Sequence, residues 1–401
     1  MDALLAIIIV LALMLFAIYR KTSLDLTILL GVLMTSILYG RIAMLPSDAW
    51  QALKDYETIS LVLMVYLVFF LNNLLQSTGA MKRVIGALEN TLTDQRITIA
   101  AIPALIGFMP SPSGSVLSAP FADEIGGKTN MPKEKRHMIN YWFRHISEYI
   151  NPIYPGVLLA TGILGISYYR LLVSNLPVML VYTATGTAFF LLTIKRHKAA
   201  PKTIKAKDIA TIVEGTSPIL VALLLPLILK TELYVSLIAA IALTWALNRK
   251  AIKDPLKAAK DSLKWDLLAL VYLVMLFKTI LDMSSATAQI SGSLITLGIP
   301  TTALLIALPL IAGFLTGLTI GYVGLTFPIL LPFLQTAGET HMPAVTLAFV
   351  SGYMGVLLSP MHLCFSVTQK YFNVELKDLY RLLIIPALLV LAFTILYTTA
   401  I

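Results

Sequence analysis

Charge is scarce in this chain. Asp, Glu, Lys and Arg make up only 13% of its 401 residues while 58% are hydrophobic, and a soluble domain carries about 25% charged residues. So few charges cannot shield a large surface from repulsion by water, and lipid must be the solvent for most of it. Cysteine is nearly missing: Cys364 stands alone, which excludes an intramolecular disulfide and any thiolate metal cluster. Several signatures of chemistry are absent as well. Without a Walker-type phosphate loop nothing in the chain supplies ATP chemistry. Without a Gly-x-Ser-x-Gly elbow, a His-Glu-x-x-His motif or a paired-carboxylate protease signature, an intramembrane enzyme with a serine of Ser113-Gly-Ser115 as nucleophile and His145 or His362 as base is a remote reading. The chain is therefore read as a non-enzyme.

What is present is a set of long apolar runs. Stretches of about 17 to 25 residues suffice to cross the hydrocarbon core as helix. They occur at 3–19, 24–45, 58–77, 139–166 and 171–194, then at 214–230, 233–247, 265–283, 344–369 and 379–400. That predicts an all-α polytopic membrane protein. The first run has Asp2 before it and Arg20 and Lys21 after it, the reverse of a signal peptide, and is read as a retained helix.

The second half repeats the first. At a shift of 206 positions Val65-Tyr66-Leu67-Val68 falls on Val271-Tyr272-Leu273-Val274, and Pro103, Gly107 and Phe108 fall on Pro309, Gly313 and Phe314. Tyr169-Arg170-Leu171-Leu172 recurs as Tyr380-Arg381-Leu382-Leu383 at a shift of 211. In so apolar a chain a duplication points first to a secondary transporter, with its site where the repeats meet. The expected organisation is repeat one at 1–195, a basic linker at 196–213 and repeat two at 214–401.

The net charge of +9 sits in short loops, which the positive-inside rule explains without a nucleic-acid partner. Taking the linker, with Lys198, Lys202, Lys205 and Lys207, as cytoplasmic, five spans per repeat put both termini outside and make the second repeat inverted. The expected location is the plasma membrane. Two further apolar stretches read poorly as spans: 97–123, interrupted at Pro110-Ser111-Pro112-Ser113-Gly114-Ser115, and 300–335, interrupted by Thr316, Gly317, Thr319, Gly321 and Gly324. Each is expected to be a re-entrant hairpin whose tip lies at membrane depth, in protein or beside water. A broken helix follows each hairpin, at Asn151-Pro152-Ile153-Tyr154-Pro155-Gly156 within 139–166 and at Ser359-Pro360-Met361-His362 within 344–369. Prolines there free carbonyls for a cation, and half-helix N-termini can face an anion.

This order of elements resembles the ion transporter superfamily of citrate, dicarboxylate, gluconate and arsenite permeases. Within it the stretches Phe108-Met-Pro-Ser-Pro-Ser-Gly-Ser and Asn151-Pro-Ile-Tyr-Pro-Gly are similar to an uncharacterised archaeal and bacterial membrane family. The resemblance implies that hairpin tips and broken helices hold substrate and coupling ion while the other helices form a scaffold. The Ser-Asn-Thr tip motif of the sodium-coupled dicarboxylate members is replaced by Ser111, Ser113, Gly114 and Ser115 in one tip and by Thr316, Thr319 and Gly321 in the other.

Charges inside spans persist only when paired, hydrated or useful. Arg144 and Glu148 share a helical face, either as a local ion pair or with Glu148 as a protonatable coupling group. His145 and Glu148 have the spacing of two metal ligands, but no further motif completes a set. Lys278 and Asp282 read as a scaffold ion pair, or Lys278 as an attractor for an anion. His362 directly follows the second break and either touches substrate or a proton or is structural. Tyr154, Tyr322 and Tyr353 lie near the breaks and can donate to a carboxylate or simply pack. The leading expectation is a secondary-active transporter of a small anion of organic-acid type, coupled to H+ or Na+ by alternating access, without another cofactor and with a homodimer as a possible assembly. An antiporter or channel-like permease of the same fold is the alternative.

Overall fold

A computed structural model describes residues 3–92, 94–109, 114–194, 205–252, 254–284, 286, 289, 300–336 and 339–400. The described chain is built of helices, apart from a two-residue antiparallel ladder between Gln335–Thr336 and Glu339–Thr340. Among the described residues, five helical stretches are long and apolar enough to cross a membrane: Tyr56–Ser77, Tyr168–Leu191, Ala206–Leu229, Met342–Phe372 and Leu376–Ala400. Large apolar side chains remain on the surface, with Ile228 72% and Leu396 69% exposed, as expected where hydrocarbon replaces water. The chain is an all-α membrane protein.

Several boundaries differ from the sequence reading. The run expected at 24–45 ends as a helix at Leu38, and a 3-10 turn at Ile42–Met44 leads into a separate helix, Leu45–Lys54. Gly40 with φ of +68° sits in that corner, a conformation open to glycine at little cost. The stretch 206–213, expected as linker, is already helical, because Ile209, Ile212 and Val213 extend the apolar pattern of Ala206–Leu229 toward its N-terminus. The segment 78–95 forms the helix Ala80–Thr91, which packs on Ala206–Leu229. Val84 fills the space above Gly215, where an added Cβ would stand 2.3 Å from its methyl group.

Positions related by the sequence shift make corresponding contacts. Gln95–Gly107 packs on Gly114–Lys128 and on Lys133–Arg144; Thr301–Thr316 packs on Thr319–Leu334 and on Met342–Leu358. An added Cβ on Gly107 would lie 2.0 Å from the Arg144 carbonyl oxygen, and one on Gly313 would lie 2.1 Å from the Gly352 oxygen. Only glycine permits backbones so close. Tyr66 donates to Ala259 O at 3.4 Å, and Tyr272 donates to Ala49 O at 2.8 Å. Each half thus reaches the other through the same tyrosine position. Pro155–Leu164 packs on Thr319–Leu334, and Leu363–Phe372 packs on Gly114–Lys128. The core between these elements consists of buried aromatics and aliphatics, among them Trp142, Tyr182, Phe327 and Phe349.

Candidate functional site

Two interrupted helices bring the site together. Lys133–Arg144 ends at His145, a 3-10 turn spans Ile146–Tyr149, and the helix restarts at Pro155–Leu164. Pro155 occupies the first turn of the restart, where its missing N–H costs nothing. In the second half Met342–Leu358 stops at Ser359 and Leu363–Phe372 begins after His362. The two breaks are closed by the same device. Asn151 Nδ2 donates to Phe108 O at 3.0 Å while its Oδ1 accepts from Ile153 N at 3.0 Å. Ser359 Oγ donates to Phe314 O at 2.6 Å and accepts from Met361 N at 3.1 Å. One short polar side chain therefore pins each break to its neighbouring helix pair and satisfies a backbone group that the break exposes.

A cavity of about 270 Å³ lies between the breaks, lined by the apolar Phe69, Leu267 and Leu318 among others and by Arg144, Glu148, Tyr154, Thr319 and His362. Its walls include the first residues of three helices: Pro155 and Gly156, Thr319 and Ile320, and Leu363 and Cys364. None of the three N-cap residues, Tyr154, Leu318 and His362, supplies a side-chain cap. Three helices thus begin at the wall of one space, each bringing the positive end of its dipole to it.

Arg144 is 2% exposed and anchors the polar wall. Its guanidinium donates to the Tyr154 hydroxyl at 2.8 Å, and that hydroxyl donates to Gly107 O at 2.6 Å. Glu148 Oε1 lies 3.9 Å from Arg144 and 3.8 Å from His145 Nε2. The carboxylate therefore faces two partners at the outer limit of an ion pair and is not locked to Arg144. His145 comes from the first break and His362 from the second, with their Nε2 atoms 2.9 Å apart. Cys364 completes the group: its sulfur and one nitrogen of each histidine lie within 4.8 Å of one another, all on buried residues. Nothing in the residue pattern marked this cysteine as part of the group. Three groups with ligand chemistry meet despite the absence of spaced cysteines, because the halves fold onto each other.

The remaining expected residues fall in different settings. Ser111 and Ser113 lie outside the described residues. Gly114 begins the helix Gly114–Lys128. Ser115 is buried, donates to Cys364 O at 3.0 Å and accepts from the Thr368 hydroxyl at 2.8 Å, so it holds the first helix pair against the second break. Thr316 Oγ1 donates to Ala312 O at 2.8 Å and closes the turn toward Leu318. Gly321 is buried in the first turn of its helix, with Thr316 packed against it. Pro152 is buried and Pro360 exposed. Tyr322 donates to Phe349 O and Tyr353 to His145 O, which makes both of them internal braces. Gly317, with φ of +63°, accepts from His362 Nδ1 through its carbonyl.

Lys278 and Asp282 stand apart from this cluster. The close carboxylate of Lys278 is Glu57, at 2.8 Å, in place of the expected Asp282. Residues one turn apart on a helix compete with any carboxylate that a neighbouring helix presents, and Glu57 at the start of Tyr56–Ser77 is better placed. The segment 284–300 falls largely beyond the described residues.

These features define a polytopic helical membrane protein with a largely apolar cavity at two helix breaks, reached by a few polar and charged side chains. The chain belongs to the DUF401 family, described as proteins of unknown function, whose pattern matches residues 1–401. Its fold is similar to that of the YdaH transporter of Alcanivorax borkumensis, with 12% identity, a TM-score of 0.61, and coverage of 90% of this chain and 88% of that one. No curated protein matches the sequence.

Proposed function

We propose that the protein is a secondary-active transporter of a small organic anion. The observation that carries this reading is the convergence of three helix N-termini and Arg144 on one cavity. Each element favours negative charge: the uncapped N–H groups as donors, the dipoles by their sign, and the guanidinium by charge and hydrogen bonding. Burying Arg144 costs several kcal/mol if its charge is left uncompensated. Glu148 faces it at 3.9 Å, and an anion in the cavity would place a further negative charge beside the guanidinium. The apolar wall of Phe69, Leu267 and Leu318 suits the carbon skeleton of an organic acid.

On this reading the two halves are inverted repeats of the ion transporter superfamily type, 1–195 and 214–401 with the linker cytoplasmic. The pairs Gln95–Gly107 with Gly114–Lys128 and Thr301–Thr316 with Thr319–Leu334 are then re-entrant hairpins entering from opposite sides. The reciprocal tyrosine bonds and the matched closures at Asn151 and Ser359 support this. Alternating access follows if the broken helices and hairpins move against the scaffold, and a coupling cation, H+ or Na+, accompanies the anion.

The test is uptake into proteoliposomes of labelled succinate, citrate and gluconate, with proton and sodium gradients imposed separately. Saturable, gradient-driven accumulation of at least one is expected. Passive, non-saturating flux or single-channel currents would replace this reading with the channel-like one.

A further inference from the structure

We propose that His145, His362 and Cys364 form a binding site for one zinc-class divalent ion, which joins the two helix breaks. The sequence spacing of His145 and Glu148 supplies only two candidate ligands, and the fold brings the others from the second half. His145 caps the end of Lys133–Arg144, whereas His362 and Cys364 open Leu363–Phe372 as its N-cap and second residue. One nitrogen of each ring and the sulfur lie within 4.8 Å of one another, all on buried residues.

The rings are already turned as ligands. His145 Nδ1 lies 2.6 Å from Tyr141 O, and His362 Nδ1 lies 2.7 Å from Gly317 O. A carbonyl oxygen only accepts, so each Nδ1 carries the ring hydrogen and each Nε2 lone pair is directed at the other ring, 2.9 Å away. An N–H given to a backbone carbonyl is the outer partner usual for a metal-bound histidine. Tyr141 packs against both rings, with centroids 4.6 and 5.8 Å from theirs. The ligand backbones are held as well: Tyr353 donates to His145 O and Ser115 to Cys364 O, both at 3.0 Å.

A hydrogen-bonded cluster is the competing arrangement. The three inner atoms share a single proton, that of the Cys364 thiol, and one proton joins only one pair among three acceptors. A divalent ion binds all three at once. Two imidazoles and one thiolate suit zinc, which is borderline-soft and takes nitrogen and sulfur together. Tetrahedral zinc at about 2.0 to 2.1 Å from each nitrogen sets them about 3.3 Å apart, so the rings part by about 0.4 Å on loading. Glu148 Oε1, 3.8 Å from His145 Nε2, is placed to take the fourth position.

The site borders the cavity, because Glu148, His362 and Cys364 line it. Exchanging the thiol proton for a divalent ion adds one positive charge to that wall. Ion and organic anion then favour each other's binding, a consequence that rests on the transporter reading above.

Metal counting on tag-free, full-length protein in lipid nanodiscs tests the site. After stripping with chelator and dialysis against micromolar zinc, one zinc per chain is expected. Cobalt in its place should give the near-ultraviolet charge-transfer band of a thiolate ligand, and zinc should protect Cys364 of the wild type from alkylation. His362→Gln and Cys364→Ser should each weaken zinc binding by more than about 100-fold, beyond what loss of an outer partner costs, while eluting as the wild type does in size exclusion. Glu148→Gln should lower zinc affinity and keep the cobalt band. A wild type without stoichiometric zinc, without the band or unprotected at Cys364 overturns the inference, and so does full zinc binding by both ligand variants. None of these readouts needs transport, so they separate the site from the anion reading. One zinc per chain in a protein that accumulates none of the panel keeps the site and removes the anion; chelator-insensitive accumulation by a metal-free protein does the reverse.

Discussion

Arg144 and Tyr154 are joined by a 2.8 Å hydrogen bond across the first helix break, and Tyr154 in turn holds the carbonyl of Gly107. The break is thereby tied to the neighbouring helix pair through the same hydroxyl that orients the buried guanidinium. Removing that hydroxyl should affect both tasks. Tyr154→Phe is expected to lower stability by about 1.5 to 3 kcal/mol, the range for a hydrogen bond to a charged group, and to raise the half-saturating concentration of any transported carboxylate. Thermal unfolding in detergent and uptake kinetics measure the two effects, and unchanged values in both would take Tyr154 out of the site.

The two close glycine approaches should behave alike. At Gly107 and Gly313 an added Cβ meets a backbone oxygen at 2.0 and 2.1 Å, and backbone cannot swing aside as a side chain can. Gly107→Ala and Gly313→Ala should each cost about 3 kcal/mol or more. Gly86, in the helix Ala80–Thr91, has nothing within 4 Å of an added Cβ, so Gly86→Ala should be neutral or stabilising by up to about 1 kcal/mol. Fluorescence-detected size-exclusion after heating ranks the three, and equal tolerance at 86 and 107 would contradict the packing described.

The Glu57–Lys278 pair should matter little to transport. Both side chains keep some exposure, 41% and 18%, and pairs of this kind are worth about 0 to 1 kcal/mol. Lys278→Met is expected to shift the melting temperature slightly and to leave substrate affinity at the wild-type value. A tenfold loss of affinity without loss of stability would make Lys278 an attractor for the anion.

Topology is open to chemical labelling. With Cys364→Ala as background, Lys257→Cys is expected to react with impermeant maleimide only from the cytoplasmic side, and Glu339→Cys only from outside. Labelling of position 339 from the cytoplasm would contradict the inverted arrangement and the hairpins with it.

How far the sequence reached can be judged from particular residues. Spans were legible because a helix in lipid needs a long apolar run and nothing else, so Tyr56–Ser77 and Leu376–Ala400 stand close to their expected limits. The breaks at Asn151-Pro152 and Ser359-Pro360 were legible because proline disrupts a helix locally, whatever surrounds it. The helix ends at Leu38 and Ala206 were not, since they depend on a corner and on neighbours that hydropathy does not register.

Arg144, His145, Glu148, Tyr154 and His362 could be singled out one at a time, as polar groups in apolar segments. By itself the sequence determined that such residues must be buried and compensated. Which groups compensate them was decided only in three dimensions. Lys278 faces Glu57, 221 positions away, instead of Asp282, and His145 meets His362 across 217 positions. Cys364 joins them, although a lone cysteine has no spacing to reveal a role. Such pairings depend on how two halves of the chain dock, and docking is set by shape and packing over whole helix faces, which no local pattern of residues encodes.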